Sequence, residues 1–158
     1  MYDRVLVPTD GSEGTNEAVT HAIDIAEQYG ATLHTLYVVE STRSNETPDD
    51  DPLHRVQEAG QKAVDRIAKR AQDAGQKAVD RIAKRAQDAG VTSVEATVTR
   101  GVPATEILTY VTEMEIDIAV MATAGRSGES RDLLGSISES VVRESPVPVL
   151  LVNVGEAV

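Results

Sequence analysis

The chain has 158 residues, is 41% hydrophobic and 26% charged, and carries a net charge of −11. That is one domain's length with enough apolar residues for a core; the negative charge argues against nucleic acid, whose phosphates take Lys and Arg, and against anionic membrane surfaces. No apolar run approaches the ~20 residues that cross a bilayer, there is no cysteine for a disulfide or thiolate metal site, and Met1–Arg4 does not start a signal peptide, so the expected location is cytoplasmic.

Arg4 to Pro8 is a short apolar run ending in P-T-D-G-S, which reads as a buried strand and a turn. Ser12 is the expected N-cap of a first helix with Ala18, Ala22, Ile25, Ala26 and Tyr29 at helical spacing, closed by Gly30. Thr32 to Val39 is a second strand, and the polar Ser41 to Pro52 stretch reads as a mobile loop. A long helical pattern then runs to Asp88 and stops at Gly90. Val94, Ala96 and Val98 alternate with polar residues, as in an exposed edge strand. Pro103 opens a helix whose apolar face is Ile107, Leu108 and Val111. Ile116 to Ala122 is a nearly continuous apolar strand. A Gly- and Ser-rich loop leads to a helix over about 133–144, and Val147 to Val152 is the last strand. Alternating strands and helices predict an α/β fold, a doubly wound parallel sheet with right-handed crossovers and helices on both faces. Ligands of such sheets bind beyond the carboxyl ends of the strands, where the strand order reverses.

Ala59–Asp73 and Ala74–Asp88 are identical, AGQKAVDRIAKRAQD twice. Solenoid repeats drift and need about three copies for stability. Two perfect copies indicate instead a very recent duplication, an engineered insertion or a sequence artefact. Fifteen residues add ~22 Å of helix and turn the downstream face by ~60°. One continuous helix therefore cannot dock both apolar stripes, Val64/Ile67/Ala71 and Val79/Ile82/Ala86, on one sheet. The downstream turn is tight and the upstream loop long, so the second copy is expected to dock and the first to be displaced. Gly75, at the junction, costs about 1 kcal/mol inside a helix. The plain reading is a tolerated insertion; the alternative is a new interaction arm. Each copy carries two Lys, two Arg and two Asp, so removing one takes the net charge from −11 to −13 and leaves two Lys. Such an acid-rich, Lys-poor composition suits a halophile's salt-rich cytoplasm, although an ordinary acidic protein is the alternative.

Two loops could carry chemistry. Asp10, in Pro8-Thr9-Asp10-Gly11-Ser12, stands at a strand's carboxyl end, where a carboxylate can accept from ribose hydroxyls or hold a metal beside phosphates; the same residues also suit a plain capping turn. After Ala122 come Gly125, Arg126, Ser127 and Gly128, and later Gly135 and Ser136 at a helix start. There, turned backbone amides and the helix dipole favour phosphate, with Arg126 or Arg131 adding charge. The plain alternative is a strand-to-helix connection. His21, His34 and His54 are scattered and read as core or surface histidines. No Walker loop, dinucleotide fingerprint or nucleophile elbow occurs.

Taken together, these loops resemble the universal stress protein family. Its nucleotide-binding members carry G-x2-G-x9-G-[S/T] after the fourth strand and an Asp after the first; this chain reads A-x2-G-x9-G-S, with Gly125, Gly135 and Ser136 in place. V-P-T-D-G-S-E and L-L-G-S-I-S-E-S-V-V-R-E-S-P-V-P-V-L-L-V are similar to the family's two ends. The resemblance spans residues 1–158 as one domain, apart from the repeat. It implies an adenine nucleotide alpha hydrolase-like sheet of five strands in the order 3-2-1-4-5. It further implies ATP with Mg2+, Asp10 on the ribose or the metal, and Pro8 and Thr9 lining the base pocket. Val38 meets adenine through its backbone. Gly125, Gly135, Ser136 and Ile137 hold phosphates, with Met121, Ala122 and Arg126 counted among the binding residues. The partner implied is a second copy, joined through the last strand, 147–152. Ala122 stands where the family has its first glycine. A methyl group there costs affinity if the position needs a positive φ or a close backbone approach to phosphate, and is harmless if φ is negative. The expected function is an ATP-binding stress sensor or regulator, at most a slow ATPase with no dedicated catalytic residue. The alternatives are a dimeric scaffold of the same fold that binds no nucleotide, and an adenylating enzyme.

Overall fold

The computed structural model describes residues 1–41, 54–124 and 134–154, with the backbone alone for 54–61. Five strands, β1 (Arg4–Thr9), β2 (Thr32–Glu40), β3 (Val94–Gly101), β4 (Ile118–Ala122) and β5 (Val149–Val152), form one parallel sheet in the order β3-β2-β1-β4-β5. This is the expected 3-2-1-4-5 sheet. Four helices connect the strands: α1 (Asn16–Tyr29), α2 (His54–Asp88), α3 (Pro103–Glu113) and α4 (Ser136–Glu144). Gly30 ends α1 at φ +62, a left-handed cap that costs glycine no Cβ clash. The polar stretch from Thr42 to Pro52, and with it the predicted loop, lies outside the described residues.

Central strands are apolar because both faces are covered. On one face, Val5, Val7, Leu33 and Val120 pack with Val19, Ala22 and Ile23 of α1 and Ile82 and Ala86 of α2. On the other, Leu6, Leu36 and Met121 pack with Ile107, Tyr110 and Val111 of α3 and Val141 of α4. With no Phe or Trp, tyrosines supply the aromatic bulk. β3 is the expected edge strand, but its burial does not follow the alternation: Ala96 is exposed, while Thr97 and Thr99 are half-buried beside Val98.

His34 lies in the core, as the plain reading expects. Its Nδ1 is 2.8 Å from the Tyr110 hydroxyl, its Nε2 has no partner, and burial pushes its pKa below the ordinary 6.5.

α2 is one continuous helix of 35 residues, about 52 Å long. Its second copy docks, together with Ala71 in the last turn of the first, which packs against the Tyr37 and Val39 cluster. Ala78, Val79, Ile82 and Ala86 are buried, whereas Val64 and Ile67 of the first copy are 45% and 66% exposed. Ala78 and Val79 cluster with Tyr37 and Val39, in the carboxyl half of β2. Since α2 runs antiparallel to the strands, the first copy extends past the carboxyl edge of the sheet.

Candidate functional site

The sheet opens at its carboxyl edge between β1 and β4, where the strand order reverses. Those strands pair only at Val5↔Ile118 and Leu6↔Ala119, whereas β1 and β2 pair over six positions. Three segments close around this opening: the turn after β1, the end of β4, and the start of α4.

The turn after β1 is tied together by its own polar groups. Asp10 Oδ1 accepts from the Ser12 backbone N–H at 2.9 Å and from the Ser12 hydroxyl at 2.5 Å. Gly11, at φ +80, donates its N–H to Thr9 Oγ1 at 3.0 Å. Thr15 Oγ1 donates to the Ser12 carbonyl at 2.7 Å. Ser12 therefore does not cap α1 as the sequence suggests. It precedes a single 3-10 turn, Glu13–Thr15, and its hydroxyl is taken by Asp10. Asn and Asp side chains compete for nearby backbone donors in this way whenever a turn is tight.

The end of β4 and the start of α4 are joined directly. The Gly135 N–H donates to the Thr123 carbonyl at 2.7 Å, and the buried Ser138 hydroxyl donates to the Ala122 carbonyl at 2.8 Å. A Cβ at Gly135 would sit 3.3 Å from the Thr123 oxygen, a tight contact that favours glycine, its φ of −60 being ordinary. The turn after β1 reaches the same place: a Cβ at Gly14 would lie 3.5 Å from the Ala124 oxygen. In the first turn of α4, where backbone N–H groups have no intrahelical acceptor, stand the exposed Ser136 and Ile137.

Thr9, Asp10, Ala122, Gly135, Ser136 and Ile137 are thus brought to one edge. Val38 is half-buried at the neighbouring end of β2, one step beyond the Thr9↔Tyr37 pair. Pro8 is buried within β1, and Met121 points into the core on the α3 side. Ala122 has no positive φ; its side chain belongs to the apolar cluster on the α1 side, with Val120 and Val152. The condition under which its methyl group would strain the backbone is absent. Gly125, Arg126 and Arg131 lie outside the described residues. Among the described residues, no cluster of three or more His, Cys, Asp or Glu is placed to hold a metal.

Sequence reasoning missed one wall. A cleft of about 350 Å3 runs from Thr9, Gly11, Ser12, Thr15 and Asn16 to Ala78, Arg81, Ile82 and Arg85 of α2. Arg85 donates to the Asn16 carbonyl at 3.4 Å and to the Thr20 hydroxyl. The i, i+4 spacing of Arg81 and Arg85 puts both on one helix face, but only the docking of the second copy shows which pair of arginines faces the turn.

A sequence model of the "Universal stress protein family" matches residues 1–153. "Universal stress protein MJ0531" of Methanocaldococcus jannaschii is 34% identical over 157 residues, covering 97% of this chain and 83% of that protein. The structure of "Universal stress protein UspA from Lactobacillus plantarum" aligns with a TM-score of 0.70 at 27% identity, over 96% of this chain and 97% of that one. The structure described as a "universal stress protein in complex with cAMP" shares the fold, with a TM-score of 0.66 at 24% identity over 98% of each chain. Matched along nearly its whole length in sequence and in fold, this chain belongs to the universal stress protein family.

Proposed function

We propose that this protein binds an adenine nucleotide, with ATP as the first candidate, and acts as a stress-response sensor or regulator. The observation that carries the reading is the meeting of the Asp10 turn with the Gly135–Ile137 helix start across the opened β1–β4 seam. A carboxylate and the amides of a helix start at one edge suit the two ends of a nucleotide, ribose hydroxyls and phosphate oxygens. Pro8, Thr9 and the backbone at Val38 line the base side. Met121 and Ala122 end the strand beneath it. Gly125, Gly135, Ser136 and Ile137 take the phosphates, with Arg126 adding charge. The fold's capacity for such a ligand is supported by the cAMP complex described above.

Mg2+ fits this site as a companion of the phosphates. It keeps several waters and needs only one or two carboxylates, and Asp10 is the carboxylate at the site. The protein's own contribution is to hold that group in place through Ser12. Hydrolysis is slow at most, so the bound nucleotide acts as a signal. The protein pairs with a second copy through β5, the open edge at 147–152, where Leu150 is exposed. We assign it to the cytoplasm of a halophile on its acidic, Lys-poor composition.

Isothermal titration with ATP and Mg2+ in high salt tests the reading. Saturable heat that is lost in Asp10→Asn supports it. No heat at millimolar ATP removes it and leaves the dimeric scaffold, whose test is the oligomeric state by light scattering.

A further inference from the structure

The repeat extends further than its two 15-residue copies. Residues 59–75 and 74–90 are the same letter for letter, so the stop that ends α2 is duplicated along with the helix. At the observed end, Gly90 has φ +105, and Ala89, Gly90 and Val91 donate back to Arg85, Gln87 and Ala86 carbonyls. Asp73-Ala74-Gly75 spells the same stop fifteen residues earlier. Each buried apolar side chain of α2 has a twin: Ala63, Val64, Ile67 and Ala71 match Ala78, Val79, Ile82 and Ala86, while the partly buried Ala71 is matched by Val56. The cleft wall has one too, with Arg66 and Arg70 matching Arg81 and Arg85.

We propose that α2 has a second register, in which residues 59–73 occupy the β2–β3 face, the helix ends at Gly75, and residues 76–90 become an insertion ahead of Val91. The buried side chains of the two registers are identical. They differ in where the surplus chain leaves the sheet. In the observed register it overhangs the carboxyl edge, beside the candidate site; in the second it leaves at the opposite edge. The register therefore decides whether a basic arm, with Lys62, Arg66, Lys69 and Arg70, extends beyond the carboxyl edge of the sheet while the cleft wall keeps the same chemistry. Lengthening the connection before β3 by fifteen residues disfavours the second register by no more than about 60-fold, because the connection before α2 shortens by the same number, which puts its population at or above the order of a per cent.

The protein has no cysteine, so introduced thiols report cleanly. Val39→Cys combined with Ala78→Cys marks the observed register; combined with Ala63→Cys it marks the second; combined with Asp65→Cys it is a control off the docking face. A short bifunctional thiol cross-linker should link the Ala63 pair within one chain more slowly than the Ala78 pair, by up to about 60-fold, and faster than the Asp65 pair. Linkage no faster than the control, or linkage only between chains, overturns the proposal. A second measurement does not depend on cross-linking. Val79 is fully buried, yet Val79→Asp should weaken the folding equilibrium by no more than about 60-fold, because the first copy takes its place. Val64→Asp alone should leave it unchanged, and the double variant should lose far more than Val79→Asp. Equal losses in Val79→Asp and the double variant overturn the proposal as well.

Discussion

The ring of Tyr37 lies against the backbone of α2 at Gly75, so close that a Cβ built there would fall 2.4 Å from ring Cδ1. Glycine is the poorest helix former after proline, but here it lets the helix approach the sheet. Gly75→Ala gains about 1 kcal/mol of helix propensity and must displace a ring buried with Val39, Ala78 and Val79. Overpacking of that kind costs about 1–3 kcal/mol. The variant is therefore expected to be no more stable than the parent, and less stable if the ring is held. A urea midpoint above the parent's would contradict this.

The buried His34–Tyr110 contact makes stability depend on pH. Burial lowers the His34 pKa in the folded state; Arg4 adds to that effect and Glu95 opposes it. The unfolded chain, with its ordinary histidine pKa near 6.5, binds the proton first as pH falls. Stability from this group is thus complete above about pH 6.5 and declines below it. Thermal denaturation at pH 7.5 and 5.5 should show the drop, and His34→Phe should make the difference smaller.

Ser138 fastens α4 to the end of β4 through the Ala122 carbonyl. Ser138→Ala removes a buried hydrogen bond and leaves that carbonyl to find another donor, a cost of about 1–3 kcal/mol. The start of α4 is set by the same bond, so nucleotide affinity should fall along with the melting temperature. A stable variant with parental affinity would separate the helix start from the site.

Ala122→Gly should not improve nucleotide binding. The alanine has no positive φ, and its methyl packs among Val120 and Val152. Removing the methyl leaves a small void and a looser strand, worth about 1 kcal/mol. Titration of the variant with ATP should give parental affinity or weaker; a gain would show that the methyl obstructs the ligand.

The sheet was legible because its signals are local. Val-, Leu- and Ile-rich runs bounded by Gly and Pro mark the strands, and Gly30, Gly90 and Pro103 mark helix ends. The docking of the second copy was legible from helix geometry, since fifteen residues shift both length and phase. Other features depended on distance. The hydroxyl of Ser12 looks the same whether it caps α1 or binds Asp10, and three-dimensional crowding of the turn decides between them. Neither Arg85 beside Asn16 nor Tyr110 beside His34 leaves a mark in spacing, because their partners are 69 and 76 residues away. For Ala122, the letter alone left the backbone angle open; the fold shows that the angle is not positive.

The short pairing between β1 and β4 has a mechanical meaning. The sheet consists of a three-stranded raft, β3-β2-β1, and a two-stranded raft, β4-β5, spliced over two residue pairs. The Asp10 turn belongs to the first raft and the Gly135–Ile137 segment to the second. A molecule held by both would act as a rivet across the splice. Occupancy would then register as stiffness between the two halves and reach β5, where a second copy would feel it, without any helix having to change place.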